Sequence, residues 1–275
     1  MTGAEDARRK LVAAPADLRF AVLFSPRNQR AALTALLAVY LEIREVLQEC
    51  SDKGVAHSKL AWWREEIGLL AEYRPRHPLS ANLAPFLPDE FAWQAALLAI
   101  VASVETDVAL PAFPQFADVE RYCAGCGGAL LELSAALGGA RHSEALVAAR
   151  SRGSGWQLAE LVLQAGEHAE QGRVYFASAD LHKHSVDRHI VAGVHANTGL
   201  TALLADYSGR ARAFATAAAP PADADALVAA RVVSGLACAH LKKFAALNYD
   251  ATLPPVELSP FAQLWNAWRC ARRDA

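Results

Sequence analysis

Apolar residues recur every three or four positions through most of this chain, and this spacing limits its fold more than any other feature. Alanine and leucine dominate the repeating segments, while the alternation typical of a β-strand is scarce. The pattern predicts helices over Ala31–Glu49, Lys59–Ala71, Phe91–Val104, Val119–Leu137, Ser143–Gly166, His189–Ala217, Ala222–Leu247 and Phe261–Arg273. Prolines and glycine pairs separate these segments, so the sequence predicts an all-α bundle of about eight to ten helices.

The composition indicates one folded unit. Apolar residues make up 53% of the 275 residues, which is enough for a sizeable core. No shift in composition marks a boundary, so we expect a single domain over residues 1–275, with a loosely ordered N-terminal segment at residues 1–17. The 27 basic and 29 acidic side chains lack the basic excess of a nucleic-acid binder, so we expect no nucleic-acid partner.

The sequence predicts no transmembrane segment. The best candidate, residues 91–104, has 14 uncharged residues, whereas a membrane-spanning helix needs about 20. The N-terminus lacks the apolar core of a secretory signal, and five cysteines, an odd number, do not fit a disulfide framework. We therefore expect a cytoplasmic protein, and peripheral contact with a membrane stays open.

Three features that look functional fit packing better. Cys123 and Cys126 form a CxxC pair in a glycine- and alanine-rich segment, with no second pair to complete a zinc site. Trp62 and Trp63 point about 100° apart on a helix, which suits the core and a neighbouring helix. The aromatic segment at residues 258–269 predicts a core helix, with a surface that meets a membrane or a protein partner as the alternative.

Five segments carry a resemblance to the squalene/phytoene synthase family. They read, in chain order, LFSPRNQRAALTALLAV at 23–39, KLAWWREEI at 59–67, HPLSANLAPFL at 77–87, ERYCAGCGGALLELSAALGG at 120–139 and GRVYF at 172–176. Five motifs in the family's order and spacing are specific for the fold. The resemblance implies one squalene/phytoene synthase-like domain, folded as an isoprenoid-synthase-type helical bundle around a central pocket.

The resemblance also implies a chemistry for which this sequence lacks the usual ligands. Members of the family join two prenyl diphosphates head to head, and aspartates on two helices hold the Mg²⁺ that neutralises the departing diphosphate. The first motif, Asp-Asp-x-x-Asp, corresponds to residues 44–48, which read Arg-Glu-Val-Leu-Gln. The second, Asp-x-x-x-Asp, corresponds to Gln164 and His168. Of these aspartate positions Glu45 alone keeps a carboxylate, and Arg44 brings a positive charge to a ligand position.

The same resemblance assigns a set of pocket residues, some of which differ from the residues that the family has at those positions. Leu41 stands in place of a diphosphate-binding arginine, and Glu160 in place of an asparagine. The vestigial pocket predicted in this way comprises Arg44, Glu45, Gln48, Gln157, Glu160, Gln164, His168, Arg173 and Tyr175, of which Gln157, Arg173 and Tyr175 match the family. We assign no catalytic residue and no metal ligand. Because an arginine and a glutamate are gained together, we expect Arg44 to contact Glu160 or Glu45.

Two sets of side chains are candidates for substitute metal ligands. The first set, which shares one helical face, is Glu42, Glu45 and Glu49. The second set, spaced at i, i+4 and i+8, is Glu160, Gln164 and His168. Neither has the Glu-x-x-His spacing of helical di-metal sites, so we favour solvent-facing charges at Glu42 and Glu49 and a hydrogen-bonded pocket remnant for the second set. We expect no cofactor, and Mg²⁺ only in an active synthase.

The leading functional interpretation is a non-catalytic relative with this fold. The chain resembles family members with both aspartate motifs eroded, one group of which acts in assembly of the mitochondrial NADH dehydrogenase. This resemblance implies binding of an isoprenoid or other lipid chain, or action with a protein partner in assembly of a membrane complex. The alternative is an active head-to-head prenyltransferase that condenses two farnesyl or geranylgeranyl diphosphates. A third interpretation is a membrane-peripheral scaffold without a ligand.

Overall fold

The computed structural model describes residues 2–50, 52–89, 91–110, 112–193, 197–251 and 256–272, with residues 190, 192 and 193 described by their backbone alone. Over these ranges the chain forms helices joined by loops and contains no β-strand, so the predicted all-α class is confirmed. Each predicted helix coincides with one or more of the observed helices, and the differences lie mainly at the ends.

The helices follow one another with short connections. The first part of the chain contributes α1 (Gly3–Ala13), α2 (Ala16–Phe24), α3 (Arg30–Glu49), α4 (Lys53–Ala71), α5 (Pro78–Leu83), α6 (Trp93–Ala109) and α7 (Phe116–Cys123). A π-helical segment at Ala124–Gly128 joins α7 to α8 (Ala129–Leu137). The rest contributes α9 (Ser143–Leu163), α10 (Ala165–Glu170), α11 (Ser178–Lys183), α12 (Arg188–Gly193), α13 (Thr198–Ala215), α14 (Val228–Ala246) and α15 (Pro260–Arg272).

Residues 3–13 form α1, and α2 begins at Ala16, which corrects the expectation of a loosely ordered segment at residues 1–17 for the part that the structure describes, residues 2–17. The Thr2 hydroxyl accepts a hydrogen bond from the Glu5 backbone N–H, and the Glu5 carboxylate accepts one from the Thr2 N–H, so α1 begins with a capping box. Ala7 is fully buried, and α1 packs against α3 and α5. The helix is rich in charged residues, so its sequence shows little of the apolar face that seats it.

Helix α9 lies at the centre of the bundle, in contact with α8, α13, α14 and the π-helical segment. Glycines allow the close approach. A Cβ built on Gly153 would lie 2.1 Å from the Gly127 carbonyl oxygen, and one built on Gly155 would lie 2.6 Å from the Ala211 carbonyl oxygen. Because no side chain fits at these positions, the helices meet at backbone distance and fix one wall of the interior.

Two predicted helices differ from the observed ones for identifiable reasons. The helix predicted at Ser143–Gly166 breaks at Gln164, where α9 gives way to α10. The helix predicted at Ala222–Leu247 begins only at Val228, because two 3₁₀ turns precede it. These turns are held by the buried Asp223 carboxylate, which accepts two backbone N–H groups from the loop before α9.

The segment predicted as one helix at His189–Ala217 forms two helices. Asn197 caps α13 by accepting a 3.0 Å hydrogen bond from the Leu200 N–H, so a new helix begins there. Residues 194–196, between α12 and α13, lie outside the described residues.

The core helix predicted at residues 258–269 is wrong for its large side chains, which lie on the surface of α15. Ala267 is buried against α14, whereas Phe261, Leu264, Trp265 and Trp268 are exposed. The helix therefore packs through its small residues and presents its large ones to solvent. No helix in the described ranges, α15 included, combines the length and apolar character needed to cross a bilayer.

Candidate ligand-binding cavity

A cavity of about 1020 Å³ opens between α1, α2, α3 and the junction of α9 with α10. All nine residues of the predicted pocket line it, although they come from separate parts of the chain: Arg44, Glu45 and Gln48 from α3, Gln157, Glu160, Gln164 and His168 from α9 and α10, and Arg173 and Tyr175 from the loop that follows. The structure thus brings the predicted set together around open space, and the role of that space stays a prediction.

Arg44 turns inward and pairs with a buried aspartate of α6. Its Nη1 lies 3.2 Å from Asp107 Oδ2 and 3.5 Å from Cys126 Sγ. Asp107 is fully buried, and the hydroxyls of Tyr122 and Tyr175 donate hydrogen bonds of 2.8 and 2.6 Å to its Oδ1. Burial, reinforced by the Asp107 charge, raises the pKa of both tyrosines, so the hydroxyls stay protonated donors.

This network replaces the contact expected for Arg44. Within the described structure its ion-pair partner is Asp107, and the expected pairing with Glu160 or Glu45 is wrong. The reason is the cost of burying a carboxylate: an aspartate without water needs compensating charge and donors, and Arg44 is the cation within reach.

A lysine from α1 holds two carboxylates of α3. Lys10 Nζ lies 2.6 Å from a Glu42 oxygen and 2.5 Å from a Glu45 oxygen. Burial lowers the pKa of Lys10, but the two glutamates together raise it above its usual value, so the ammonium stays charged. Glu45, the one acid kept at the first aspartate motif, therefore already has a counter-charge from the protein. Glu49 pairs elsewhere, with Lys59 at 3.0 Å.

The wall formed by α9 and α10 is polar, and Glu160, His168 and the exposed Glu167 are its titratable side chains. Gln164 Nε2 donates a 2.7 Å hydrogen bond to Glu160 Oε2. Burial raises the pKa of Glu160 to about 8, with a further rise from Asp17 on α2 and opposition from Arg44. Burial lowers the pKa of His168 to about 4, and two nearby guanidinium groups lower it further. At pH 7 Glu160 is therefore mostly protonated and His168 is neutral.

The remaining predicted residues complete the rim. Arg173 Nε donates to the Asp107 backbone carbonyl oxygen at 3.3 Å, and its Nη1 donates to Gln171 Oε1 at 2.6 Å. Gln157 is buried, whereas Gln48 is exposed at the opening. These side chains add amide groups and a guanidinium to the lining, to which Arg19 of α2 contributes a second, exposed guanidinium.

Apolar and aromatic side chains line another part of the cavity, beside a larger set of polar and charged ones. The rings of Tyr40 and Trp156 lie with centroids 6.4 Å apart, and Leu18, Leu41 and Leu161 line the cavity beside them. Sites for small organic ligands combine an apolar surface with polar groups that fix the orientation of the ligand. The cavity therefore suits a molecule with a hydrocarbon part and a polar end.

The residues present do not fit the magnesium cluster that the family resemblance implies. Mg²⁺ requires a near-octahedral shell of oxygen atoms, usually with one or two carboxylates from the protein. Glu45 is already paired with Lys10, Arg44 places a guanidinium at a ligand position, and Glu160 is protonated. Among the side chains that the structure describes, no three of His, Cys, Asp or Glu converge as a metal site, so neither candidate set of substitute ligands forms one.

Lys10, Asp107 and Tyr122 belong to the site but were missed in the sequence. Lys10 fell in the segment expected to be loose. Asp107 lies past the predicted end of its helix at Val104, whereas α6 continues to Ala109. The available signal was an acidic residue at the end of an otherwise apolar helix, because such a residue is rarely buried without a partner.

The CxxC pair fits packing in the structure as well. Cys123 and Cys126 are free and buried, and Cys126 Sγ lies 3.9 Å from the Tyr40 hydroxyl. Burial raises the pKa of Cys123 well above its usual value, which keeps that thiol protonated and unreactive. Of the tryptophan pair, Trp63 is buried and its ring lies 5.1 Å from that of His77.

Comparisons with known proteins agree with this architecture. The family model described as squalene/phytoene synthase matches residues 16–262. The crystal structure of a dehydrosqualene synthase in complex with ligand is similar with a TM-score of 0.83 and 16% sequence identity, covering 98% of this chain and 95% of that one. Squalene synthase HpnC from Alicyclobacillus acidocaldarius is similar with a TM-score of 0.75 and 17% identity, covering 90% of this chain and 95% of that one.

A third structure extends the comparison. YisP from Bacillus subtilis subsp. subtilis strain 168 has a TM-score of 0.65 and 15% identity, covering 96% of this chain and 96% of that one. No curated protein sequence matches this chain significantly. At such low identities the structural likenesses establish the shared helical fold and carry no information about activity.

Proposed function

The chain belongs to the squalene/phytoene synthase family, and from that premise we propose that it binds an isoprenoid or other lipid chain without ionising a diphosphate. One observation carries the proposal: cations of the protein itself occupy the surroundings of the first aspartate motif. Arg44 pairs with Asp107, and Lys10 pairs with Glu45.

These ion pairs oppose metal-assisted ionisation. A departing diphosphate carries several negative charges that divalent cations usually neutralise. A magnesium ion at this position would have to separate Glu45 from Lys10 and would meet the guanidinium of Arg44. The Glu45 side chain is 39% exposed, so breaking its pair with Lys10 costs less than the figure of about 3–5 kcal/mol for a fully buried pair, but the metal must still offset that loss. The geometry therefore supports holding a ligand more than activating one.

The cavity has the size and lining that such a ligand needs. Its volume of about 1020 Å³ stands at the upper end of the range typical of small-molecule sites, about 300–1,000 Å³. The apolar wall suits a hydrocarbon chain. The protonated Glu160, the neutral His168 and the amides of Gln157 and Gln164 offer hydrogen bonds without net charge. An uncharged head group, such as an alcohol, can form hydrogen bonds with these four side chains, whereas Arg44 and Lys10, which could meet a diphosphate, are already engaged by carboxylates.

The test compares farnesol with farnesyl diphosphate on the purified chain. We expect farnesol to quench tryptophan fluorescence in a saturable way, because Trp156 lines the cavity. With farnesyl diphosphate and Mg²⁺ or Mn²⁺, we expect no release of diphosphate above the rate without protein. Trp156→Phe keeps an aromatic wall but should remove most of the quenching, and Trp62→Phe on α4 is the matched control. Robust metal-dependent release of diphosphate would overturn the proposal.

An active head-to-head prenyltransferase is the second candidate. The observation that favours it is the survival of Gln157, Arg173 and Tyr175, all of which line the open cavity. The same incubation distinguishes the two functions, because a prenyltransferase must also yield a hydrocarbon or diphosphate product that joins two prenyl chains. Action in assembly of a membrane complex stays a prediction, and affinity capture from detergent-solubilised membranes tests it.

A further inference from the structure

Helix α15 presents four large apolar side chains to solvent along one face. Phe261 is 77% exposed, Trp265 51%, Leu264 43% and Trp268 36%. Their spacing of i, i+3, i+4 and i+7 places them in one stripe, and the two indole rings stack with centroids 5.0 Å apart. These four residues are called the aromatic stripe below. A contiguous exposed apolar surface of this kind marks a site of contact with another molecule or a membrane.

The opposite face of α15 fixes the helix to the bundle. Ala267 is fully buried in a cluster with Val232 and Leu236 of α14, and Phe20 and Phe24 of α2 pack against the same cluster. Because these residues already fill the contact, the aromatic stripe is held outward by packing.

The surface beside the stripe is basic. Helices α14 and α15 contain no aspartate or glutamate, although the whole chain has a net charge of −2. A groove of about 890 Å³ lies between them and α9, and the described residues that line it include five basic side chains and no carboxylate. The five are Arg152, Arg231, Lys242, Lys243 and Arg269. Arg272 adds a charge 4.9 Å from the centroid of the Trp268 ring.

Some of these cations form hydrogen bonds that hold helices together, and others are exposed to solvent. Arg231 donates to backbone carbonyl oxygens at the end of α15 and before α14. Lys242, Lys243 and Arg269 are exposed, and in the described part of the chain none of the three pairs with a carboxylate. Glu257, in the loop before α15, contributes its backbone carbonyl to Lys243. These three residues are called the basic trio below.

We propose that α15 docks the protein on the surface of an anionic lipid bilayer, with the aromatic stripe in the headgroup region and the basic trio against lipid phosphates. Tryptophan favours the boundary between water and hydrocarbon, and phenylalanine and leucine form the apolar face that an interfacial helix inserts. An amphipathic helix with basic flanks lies in the plane of an anionic membrane and is attracted by its surface potential. Two copies of this protein meeting through the same face would bring like charges together, which favours the bilayer as the occupant.

The proposal is independent of the cavity, because the stripe and the trio share no lining residue with it. Co-sedimentation of the full chain with vesicles tests it. We expect binding to vesicles of phosphatidylcholine mixed with phosphatidylglycerol to be about ten-fold or more tighter than binding to phosphatidylcholine alone, and to weaken as NaCl is added.

Variants separate the two parts of the surface. Trp265→Ser with Trp268→Ser should weaken binding to both kinds of vesicle by about ten-fold. Replacing the basic trio with glutamine should remove only the preference for anionic lipid. The matched controls are Trp62→Ser, which is also 36% exposed, and a triple glutamine variant of exposed cations elsewhere, Arg74, Arg121 and Lys183. If the double tryptophan variant fails to fold by circular dichroism, Phe261→Ser takes its place.

Three results would overturn the proposal. One is absence of binding to the mixed vesicles, or equal binding to both kinds. Another is an equal loss of binding in the control variants. The last is a concentration-dependent dimer in sedimentation velocity that the tryptophan substitutions abolish, because that result assigns the stripe to a second copy of the chain.

Discussion

Asp107 is fully buried, so its negative charge depends on the side chains that it contacts. Arg44 supplies the counter-charge, and the hydroxyls of Tyr122 and Tyr175 supply two further hydrogen bonds. Arg44 in turn stands where the family resemblance places a metal ligand. One residue therefore links the loss of a magnesium ligand with the stability of the fold.

Replacing Asp107 with asparagine keeps the shape of the side chain but removes the charge that Arg44 needs. We expect Asp107→Asn to lower the free energy of unfolding by about 3 kcal/mol, the low end of the cost of breaking a buried pair, because Arg44 keeps some exposure. Urea unfolding measures this change. The control is Glu105→Gln on the same helix, whose pair with Arg64 lies at the surface and should contribute less than about 1 kcal/mol. Equal losses of unfolding free energy in the two variants would show that the buried Asp107 network contributes no more than a surface ion pair.

Glu160 makes stability depend on pH in an unusual direction for an acid. Burial raises its folded pKa to about 8 from an ordinary value of 4.5. Between these values the folded chain keeps a proton that the unfolded chain has released, so the contribution of Glu160 is full below pH 4.5 and is lost as the pH rises through 8. His168 acts oppositely between about 4 and 6.5, because its folded pKa is lowered. Above pH 6.5 the pH dependence of stability therefore comes from Glu160 and no longer from His168.

We expect the free energy of unfolding of the wild type to fall between pH 6.5 and pH 8 relative to that of Glu160→Gln, which cannot titrate. Urea unfolding at both pH values measures the difference. Asp17, whose pKa is also raised, first by burial, is present in both proteins and cancels to first order. Glu167→Gln, on the exposed side of α10, should follow the wild type. Parallel pH dependences for wild type and Glu160→Gln would contradict the raised pKa.

At the scale of helices, the position of α9 depends on glycines that bring backbones into contact. A side chain at Gly153 would meet the Gly127 carbonyl, which belongs to the π-helical segment carrying Cys126 of the Arg44 network. Separation of these two elements would therefore disturb the cavity as well as the core. The contact is a property of two elements together, and neither sequence segment alone determines it.

The same substitution at two helical glycines should have opposite effects on stability. Gly153→Ala forces a Cβ to within 2.1 Å of a backbone carbonyl, and we expect a loss of about 3 kcal/mol, the upper end of overpacking costs. Gly209→Ala on α13 meets no atom within 4 Å and should stabilise the protein by about 0.5–1 kcal/mol, because alanine favours the helix. Thermal and urea unfolding measure both. Stabilisation by both substitutions would disprove the close contact at Gly153.

The helices with regular apolar spacing, such as α3 and α14, could be predicted from the sequence because burial of one face determines them. Helix α1 could not, because charged residues hide its small apolar face and its partners lie far along the chain, as the contact of Lys10 with Glu45, 35 residues away, shows. The cavity lining could be predicted because the family motifs locate its positions. The pairing of Arg44 with Asp107, 63 residues apart, could not, because it depends on the path of the chain through the bundle.

At the scale of the whole molecule, the fold persists at low sequence identity. The chain shares 16% of its residues with a dehydrosqualene synthase, yet the two folds agree with a TM-score of 0.83. Many apolar positions of interchangeable type maintain such a bundle. The metal site that the family resemblance implies depends on a few carboxylates, so a small number of substitutions is enough to remove it. Cations of the protein itself can then neutralise the carboxylates that remain.

If internal cations have replaced the metal, restoring carboxylates should restore metal binding. The quadruple variant with Arg44, Gln48, Gln164 and His168 each changed to aspartate carries, with Glu45, an acid at every position of the two motifs. A ligand that binds only the folded state stabilises it by about 2.7 kcal/mol when its concentration is 100 times Kd. We therefore expect Mg²⁺ to raise the Tm of the variant, and to raise that of the wild type no more than NaCl of equal ionic strength does.

The controls distinguish stabilisation by bound Mg²⁺ from a change in stability that the substitutions cause without metal. Without metal, the quadruple variant should be less stable than the wild type, because Asp107 loses Arg44 and gains a like charge beside it. Arg44→Asp alone should share this loss but gain little from Mg²⁺, since the second motif still lacks its acids. An equal Mg²⁺ response in wild type and quadruple variant would mean that the native cavity already binds the ion, and the argument from Lys10 and Arg44 would fail.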